Sequence, residues 1–351
     1  MLKEQWEAFK KAAKLQPTGP VPLALIIDSP WMPGYLGINH LDYYLDPDLW
    51  FNSNLRIIRE FPEVIFLPSW WVEYGMAIEP SALGAKICFW PDQPPGILPA
   101  LSRIDDVERL APVNVQSDGF MALALQRYRR QRQRIFDAGY TIPMVAARGP
   151  LCTAAFVRGL NDFMMDLIDK PDCVHRLLDR TAQLAVDWLK AQAEAIGESV
   201  EGILVLDDIP GFLSRKLYLE FAHPYLQRIF QAFPRDWVKV YHNDANIKPM
   251  LGDLPDVGFD VLNWGKTLDI AEVRAKTGNR ICLMGNVDPL ELATRGTPEA
   301  VRSATLELLR KSGNQGSILS VGGGVSPGMP GANIRAMVEA AQEYNASPQG
   351  R

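Results

Sequence analysis

His242, Asn243 and Asp244 end a β-branched run that begins at Lys239, and these side chains can bind a metal, move a proton or grip a polar substrate. In an extended chain residues i and i+2 fall on one side, so His242 and Asp244 present themselves together. An imidazole and a carboxylate supply two of the three protein ligands that a catalytic zinc or similar divalent ion needs. No second histidine or nearby cysteine completes the set, because Cys282 lies inside an apolar run. A metal-free role, with His242 donating protons or clamping a substrate held by a carboxylate, suits the same residues. Asp207-Asp208 forms a second centre. Ile209-Pro210-Gly211 separates this pair from the next helix near Ser214, so the two carboxylates cannot both cap it. One of them is expected to face a pocket, where repulsion and partial burial raise its pKa and suit it to proton transfer.

Other polar residues close apolar runs in the same way. Glu73, Arg148, Asn243, Asn263 and Asn286 are substrate-binding candidates, and Asp28 stands in a comparable place. Asp288-Pro289 reads equally as a pocket residue or as a helix start, since proline favours the first helical position after an Asp cap. Gly322-Gly323-Gly324 fits either an anion cradle of backbone N–H groups, with Gly323 at its centre, or a turn that needs unusual backbone angles.

The elements that must position these residues are eight apolar runs, at 21–27, 64–67, 142–146, 202–206, 238–241, 259–262, 281–284 and 317–321. Helical spacing fills 47–61, 117–138, 151–168, 171–196, 214–233, 269–277, 297–312 and 331–344, with a short helix at 246–254 and one at 3–15 ahead of the first strand. This alternation predicts one α/β domain over 1–351, a single (β/α)8 TIM barrel with an N-terminal helical extension. In such a barrel the strand C-termini open on one face and jointly supply the catalytic groups. A doubly wound sheet would want a glycine-rich turn after its first strand, where Asp28-Ser29-Pro30-Trp31 stands. Residues 85–90 and the proline-rich turn after them fall outside the rhythm and predict an inserted hairpin near residues 70–100. The segment 31–50, rich in aromatics, Gly and Pro, is long for a connection and predicts a loop that shapes the pocket. His40 within it reads as a local hydrogen-bonding residue.

Composition narrows the function classes. The 351 residues are 47% hydrophobic and 22% charged with a net charge of −5, which suits a globular protein and argues against a nucleic-acid binder. The most basic stretch, Arg127 to Arg134, reads as a solvated or subunit-facing helix face. The four cysteines are scattered, without a Cys-x-x-Cys pair, and predict buried thiols. No apolar run approaches the ~18 residues that would suggest a membrane span, and the charged, amphipathic start does not read as a signal peptide. A cytoplasmic location is expected.

From about Arg148 to Glu339 the motifs resemble the uroporphyrinogen decarboxylase superfamily. RGPLCTAAFVRG is similar to its Gly-Pro-Phe-Thr segment, and VLDDIPGFLSRKLYLEFAHPYLQRIF to its Phe-Asp-Ser-Trp…Pro-Tyr block. LMGNVDPLEL resembles its Gly-Asn-x-Asp-Pro motif, and ILSVGGGVSPGMPGANIRAMVEA its last strand and closing helix. The resemblance implies a (β/α)8 barrel and a frequent homodimer. Against the decarboxylases, residues 21–45 lack the paired arginines that grip porphyrinogen carboxylates, Asp208 replaces their Ser, Phe156 their Tyr and Gly323 their His. Against the corrinoid-linked methyltransferases of the superfamily, His242 matches the first zinc ligand, Asp244 replaces a Cys, and Gly323 stands where the last Cys would be.

Methyl transfer is therefore the first expectation. A small methoxy, methylthio or methylamine donor would bind in the mouth, positioned by Asp207, Asp208 and Asn286. His242 and Asp244 would hold a divalent metal such as zinc or polarise the leaving group directly. The acceptor would be cobalamin on a separate corrinoid protein, since the chain has no Asp-x-His-x-x-Gly motif. A metal-free decarboxylase or lyase acting on a small carboxylic acid, with Asp207 or His242 as proton donor, is the alternative. A non-catalytic binding protein on the same barrel is the third reading.

Overall fold

A computed structural model describes residues 1–350. Eight parallel strands carry the fold: β1 (Ala24–Ile26), β2 (Ile65–Leu67), β5 (Met144–Arg148), β6 (Gly202–Leu206), β7 (Val238–Asn243), β8 (Val261–Trp264), β9 (Cys282–Met284) and β10 (Ser317–Ile318). β3 (Lys86–Cys88) and β4 (Gly96–Leu98) form the expected antiparallel hairpin. β5 to β10 make one sheet in sequence order, and β1 pairs with β2. Bridges from Leu23 to Leu319 and from Ile26 to Gly324 join β1 to the β10 segment. The result is a TIM-type barrel with one interruption. Among the described residues no ladder joins β2 to β5.

The interruption is filled by side chains. The Arg148 N–H, at the open edge of β5, donates 2.8 Å to the Glu79 carboxylate. Val72 N–H donates 3.0 Å to the Tyr128 hydroxyl. Trp71 packs with Leu67 of β2 and Met144 of β5 in the inner core. It follows Ser69 and Trp70, whose φ angles of 75° and 53° are rare for residues with a Cβ and turn the chain sharply into the gap.

Alternation within the strands separates two cores. Met144, Ala146, Leu204, Leu206, Val238, Val240, Val261, Cys282 and Met284 join the inner cluster. Val145, Ala147, Ile203, Val205, Tyr241, Leu262 and Leu283 face the helices. The helix at Lys3–Ala13 adds Trp6, Phe9, Ala12 and Ala13 to the inner cluster and plugs the barrel at the strand N-termini. Burying each large apolar side chain there contributes about 2 kcal/mol.

Several helices are shorter than their spacing predicts. The 151–168 segment divides at Gly159, φ 92°, into Pro150–Arg158 and Leu160–Asp169. The 214–233 segment divides into Arg215–Phe221 and His223–Gln231, because Pro224 removes a donor and disfavours continuous helix before it. Residues 246–254 form no α-helix but two 3-10 turns, Lys248–Met250 and Leu254–Asp256, each containing a proline. The loop at 31–50 contains short helices at Met32–Leu36 and His40–Leu45. Arg127 and Arg134 of the basic stretch are engaged internally, stacking on Trp50 and Phe51. No described helix is long and apolar enough to cross a membrane.

Candidate active site

Register places Arg148, Leu206, His242, Asn263 and Met284 side by side across β5 to β9. All continue the inward-facing parity, so Arg148, His242 and Asn263 stand directly above the apolar core. Two residues beyond Leu206 and His242 the same parity brings Asp208 and Asp244 over the mouth.

Asp208, His242 and Asp244 form one cluster, with a ligand atom from each within 4.8 Å of the others. His242 Nε2 lies 3.5 Å from Asp208 Oδ1, which also accepts the Asp244 N–H at 3.0 Å. Asn263 determines the state of the ring. Its amide nitrogen donates to the carbonyls of Met284 (2.8 Å) and Val321 (3.2 Å), so its oxygen must face His242. The 2.7 Å contact is therefore a bond donated by His242 Nδ1–H, and Nε2 is the ring atom that faces the two carboxylates. Burial pushes the Asp244 carboxyl above its usual range; Asp208 adds to the shift and His242 opposes it. Gly323, φ 108°, leaves the space this carboxylate needs, since a Cβ there would lie 3.2 Å from Asp244 Oδ2. Two carboxylates and a neutral imidazole suit zinc or a similar divalent ion.

Other candidates lie elsewhere. Asp207 faces the helix layer and is fully buried, its two oxygens accepting the N–H groups of Leu151 (2.9 Å) and Cys152 (2.8 Å). It anchors the start of helix Pro150–Arg158, and burial pushes it to about 7 against those bonds. Gly149 permits this contact, because a Cβ there would sit 2.3 Å from the carboxylate. Asn243 also faces outward, donating to the Tyr241 hydroxyl and accepting from Ala245 N–H, both at 3.0 Å. Asn286 donates to the Gly265 and Leu268 carbonyls. Asp288 accepts the N–H groups of Leu290 and Glu291 and pairs with Lys266 at 3.0 Å.

A second ionisable centre adjoins the open seam. Glu73 is 4% exposed; one oxygen accepts Ser29 N–H at 2.6 Å and the other has no hydrogen-bond partner. Burial, with repulsion from Glu73, pushes Asp28 to about 7. Arg148 stacks 5.3 Å above Trp71 and reaches the Gly75 carbonyl at 3.4 Å. A cavity of about 10 Å³ lies against Asp28, Trp70 and Glu73, about the size of one water. Sequence reasoning overlooked Glu79, which no local pattern marks, and did not see Asp208 as the third ligand. Counting parity outward from Leu204 and Leu206 would have separated Asp208 from Asp207.

A family model described as "Uroporphyrinogen decarboxylase (URO-D)" matches residues 5–344. The chain belongs to that family. Relatives in the uroporphyrinogen decarboxylase family include a uroporphyrinogen decarboxylase from Pseudomonas syringae pv. tomato, 29% identical over 286 residues and 76% of each chain. Another, from Chlorobium phaeovibrioides, is 33% identical over 184 residues and half of each chain. Among solved structures, a methyltransferase from Methanosarcina mazei superposes with a TM-score of 0.84 at 21% identity, covering 99% of this chain and 100% of its own. A B12-independent methionine synthase from Shewanella sp. W3-18-1 gives 0.60 at 12% identity, covering 92% and 97%. At these identities the structural likeness establishes the barrel.

Proposed function

We propose that this member of the uroporphyrinogen decarboxylase family transfers a methyl group from a small methylated donor to cobalamin carried by a separate corrinoid protein. The observation that carries this reading is the Asp208–His242–Asp244 cluster at the mouth, with Nε2 of His242 freed by Asn263. The methyltransferase from Methanosarcina mazei with the same barrel supports it. Residues 21–45 contain no arginine to grip a porphyrinogen carboxylate, and acids occupy the mouth instead.

In this reading Asp208, His242 and Asp244 would hold a divalent ion such as zinc. Such an ion, when bound, supplies Lewis-acid polarisation of the oxygen, sulfur or nitrogen that bears the methyl group. Asn263 keeps Nδ1 protonated, so Nε2 is the ring nitrogen that a metal would meet. The two carboxylates balance a double positive charge and leave the loaded cluster neutral. Asp207 holds helix Pro150–Arg158 against β6 and thereby places the wall beside Asp208. During transfer the carbon–heteroatom bond breaks, its electron pair stays on the leaving atom, and the methyl group passes to the acceptor.

Two measurements test this. Protein purified without chelators should contain about one divalent ion per chain, lost in His242→Ala. A panel of methoxy, methylthio and methylamine donors should include one that methylates free cob(I)alamin, followed by its absorbance. No transfer from any donor would defeat the proposal. Carbon dioxide release from a small carboxylic acid by metal-free protein would instead favour the lyase reading, which the names of the curated relatives keep in view.

A further inference from the structure

A groove of about 350 Å³ opens beside the cluster, lined by Ile97 of the hairpin, Ala155 and Phe156 of helix Pro150–Arg158, Leu160, and Ile209, with the Asp208 carboxylate among its walls. We infer that this groove binds the body of the substrate, and that the substrate is a neutral aryl methyl ether whose ring lies against Phe156 and Leu160 while its methoxy group reaches Asp208. The inference rests on the methyl-transfer reading and specifies its donor.

Size, polarity and charge argue for this class. An apolar cavity of about 150 Å³ holds a benzene ring, so this groove admits a ring with substituents. The lining is mostly carbon, as expected of a site that binds by apolar contact and orients through few polar groups. Its one charged wall residue is Asp208; no lysine or arginine lines it. A ring carrying a carboxylate would therefore meet Asp208, with Asp244 behind it, and no lysine or arginine in the wall to hold it. Cys152, also in the wall, is held neutral because burial and the adjoining Asp207 and Asp208 push its thiol well up. A methanol-sized donor would leave most of the groove wet, whereas a methoxyarene fills it. The outer end is apolar too, since Met76 and Leu160 are 39% and 44% exposed there.

The test is calorimetric binding of anisole to wild-type protein, Leu160→Arg, Leu160→Met and Phe156→Ala, beside a cob(I)alamin assay with anisole and with methanol. Saturable one-to-one binding is expected, weakened about tenfold or more by Leu160→Arg and by Phe156→Ala as ring contacts are lost, and little changed by Leu160→Met. Leu160 is partly exposed, so circular dichroism should report an intact fold for the arginine variant. Absence of anisole binding, equal binding by Leu160→Arg, or tighter binding of benzoate or phenyltrimethylammonium would overturn the assignment. Methyl transfer from methanol without anisole binding removes the groove proposal and leaves the methyl-transfer reading. Anisole binding that responds to the variants, with no transfer from any donor, keeps the groove and removes that reading.

Discussion

Asp208 and Asp244 keep an edge toward solvent around a buried His242, whereas Glu73 and Glu79 are each only 4% exposed near Arg148. All of these acids follow or flank strand ends on one face of one barrel, yet the two centres are built differently. Around His242 Asn263 occupies Nδ1, so Nε2 and two acids remain to meet a ligand. Around Arg148 the acids are buried and one oxygen of each bonds to backbone, Glu79 to the β5 edge and Glu73 to Ser29, while the second Glu73 oxygen is enclosed without a partner. A cluster of acids at a barrel mouth therefore marks a reactive centre only where a ligand can reach it from solvent. The seam acids are shut in beside Arg148.

The largest test of this contrast is His242→Ala beside Glu73→Gln. The first should abolish metal binding and lower methyl transfer by about a hundredfold or more, while the second should keep the metal, as read by elemental analysis and cob(I)alamin turnover. Arg148→Met should act the opposite way, on stability. Removing a buried cation from among Asp28, Glu73 and Glu79 costs about 3 kcal/mol or more in urea unfolding, and a stable variant would mean that these acids are already protonated. Asn263→Leu is expected to weaken metal affinity about 10- to 100-fold without loss of the ligands, because His242 loses the partner that fixes its tautomer. A competition titration with a chromophoric chelator reads that change.

The smallest effect is a pH dependence. Asp28 rises from 3.8 to about 7 on burial, so the folded chain holds this proton more tightly than the unfolded chain. Its contribution is full below about 4 and is lost as pH rises through about 7. Asp28→Asn should flatten that part of the stability profile between about pH 4 and 7. Unchanged curvature would assign the slope to Asp207, which burial pushes into the same range.

The barrel was legible because each strand lies in a short apolar run bounded by turn residues, and the helix at Pro171–Ile196 follows its spacing to the residue. Legibility ended where contacts are set at a distance. His242 and Asp244 were readable as a pair two residues apart, but Asp208 joins them through the register of Leu206 with His242, which lies across two strands. Asn263 carried a polar label in the sequence. Its role depends on two carbonyls, of Met284 and Val321, that no local pattern supplies. Asp207 and Asn243 looked equal to their neighbours because composition ignores facing. The breaks at Gly159 and before Pro224 were written in the residues, yet apolar spacing on either side masked them.

The seam between β2 and β5 has a mechanical meaning. Seven of the eight junctions in this tube are stitched by main-chain pairing, and the eighth by Trp71 and the Glu79 carboxylate. Side-chain packing yields more readily than a hydrogen-bonded ladder, so the tube's circumference is adjustable at this one place. Met76 and Phe156, which line the groove, hang from the segments on either side of the seam. The wall of the site on this side thus rests on the seating of one indole and the grip of one carboxylate.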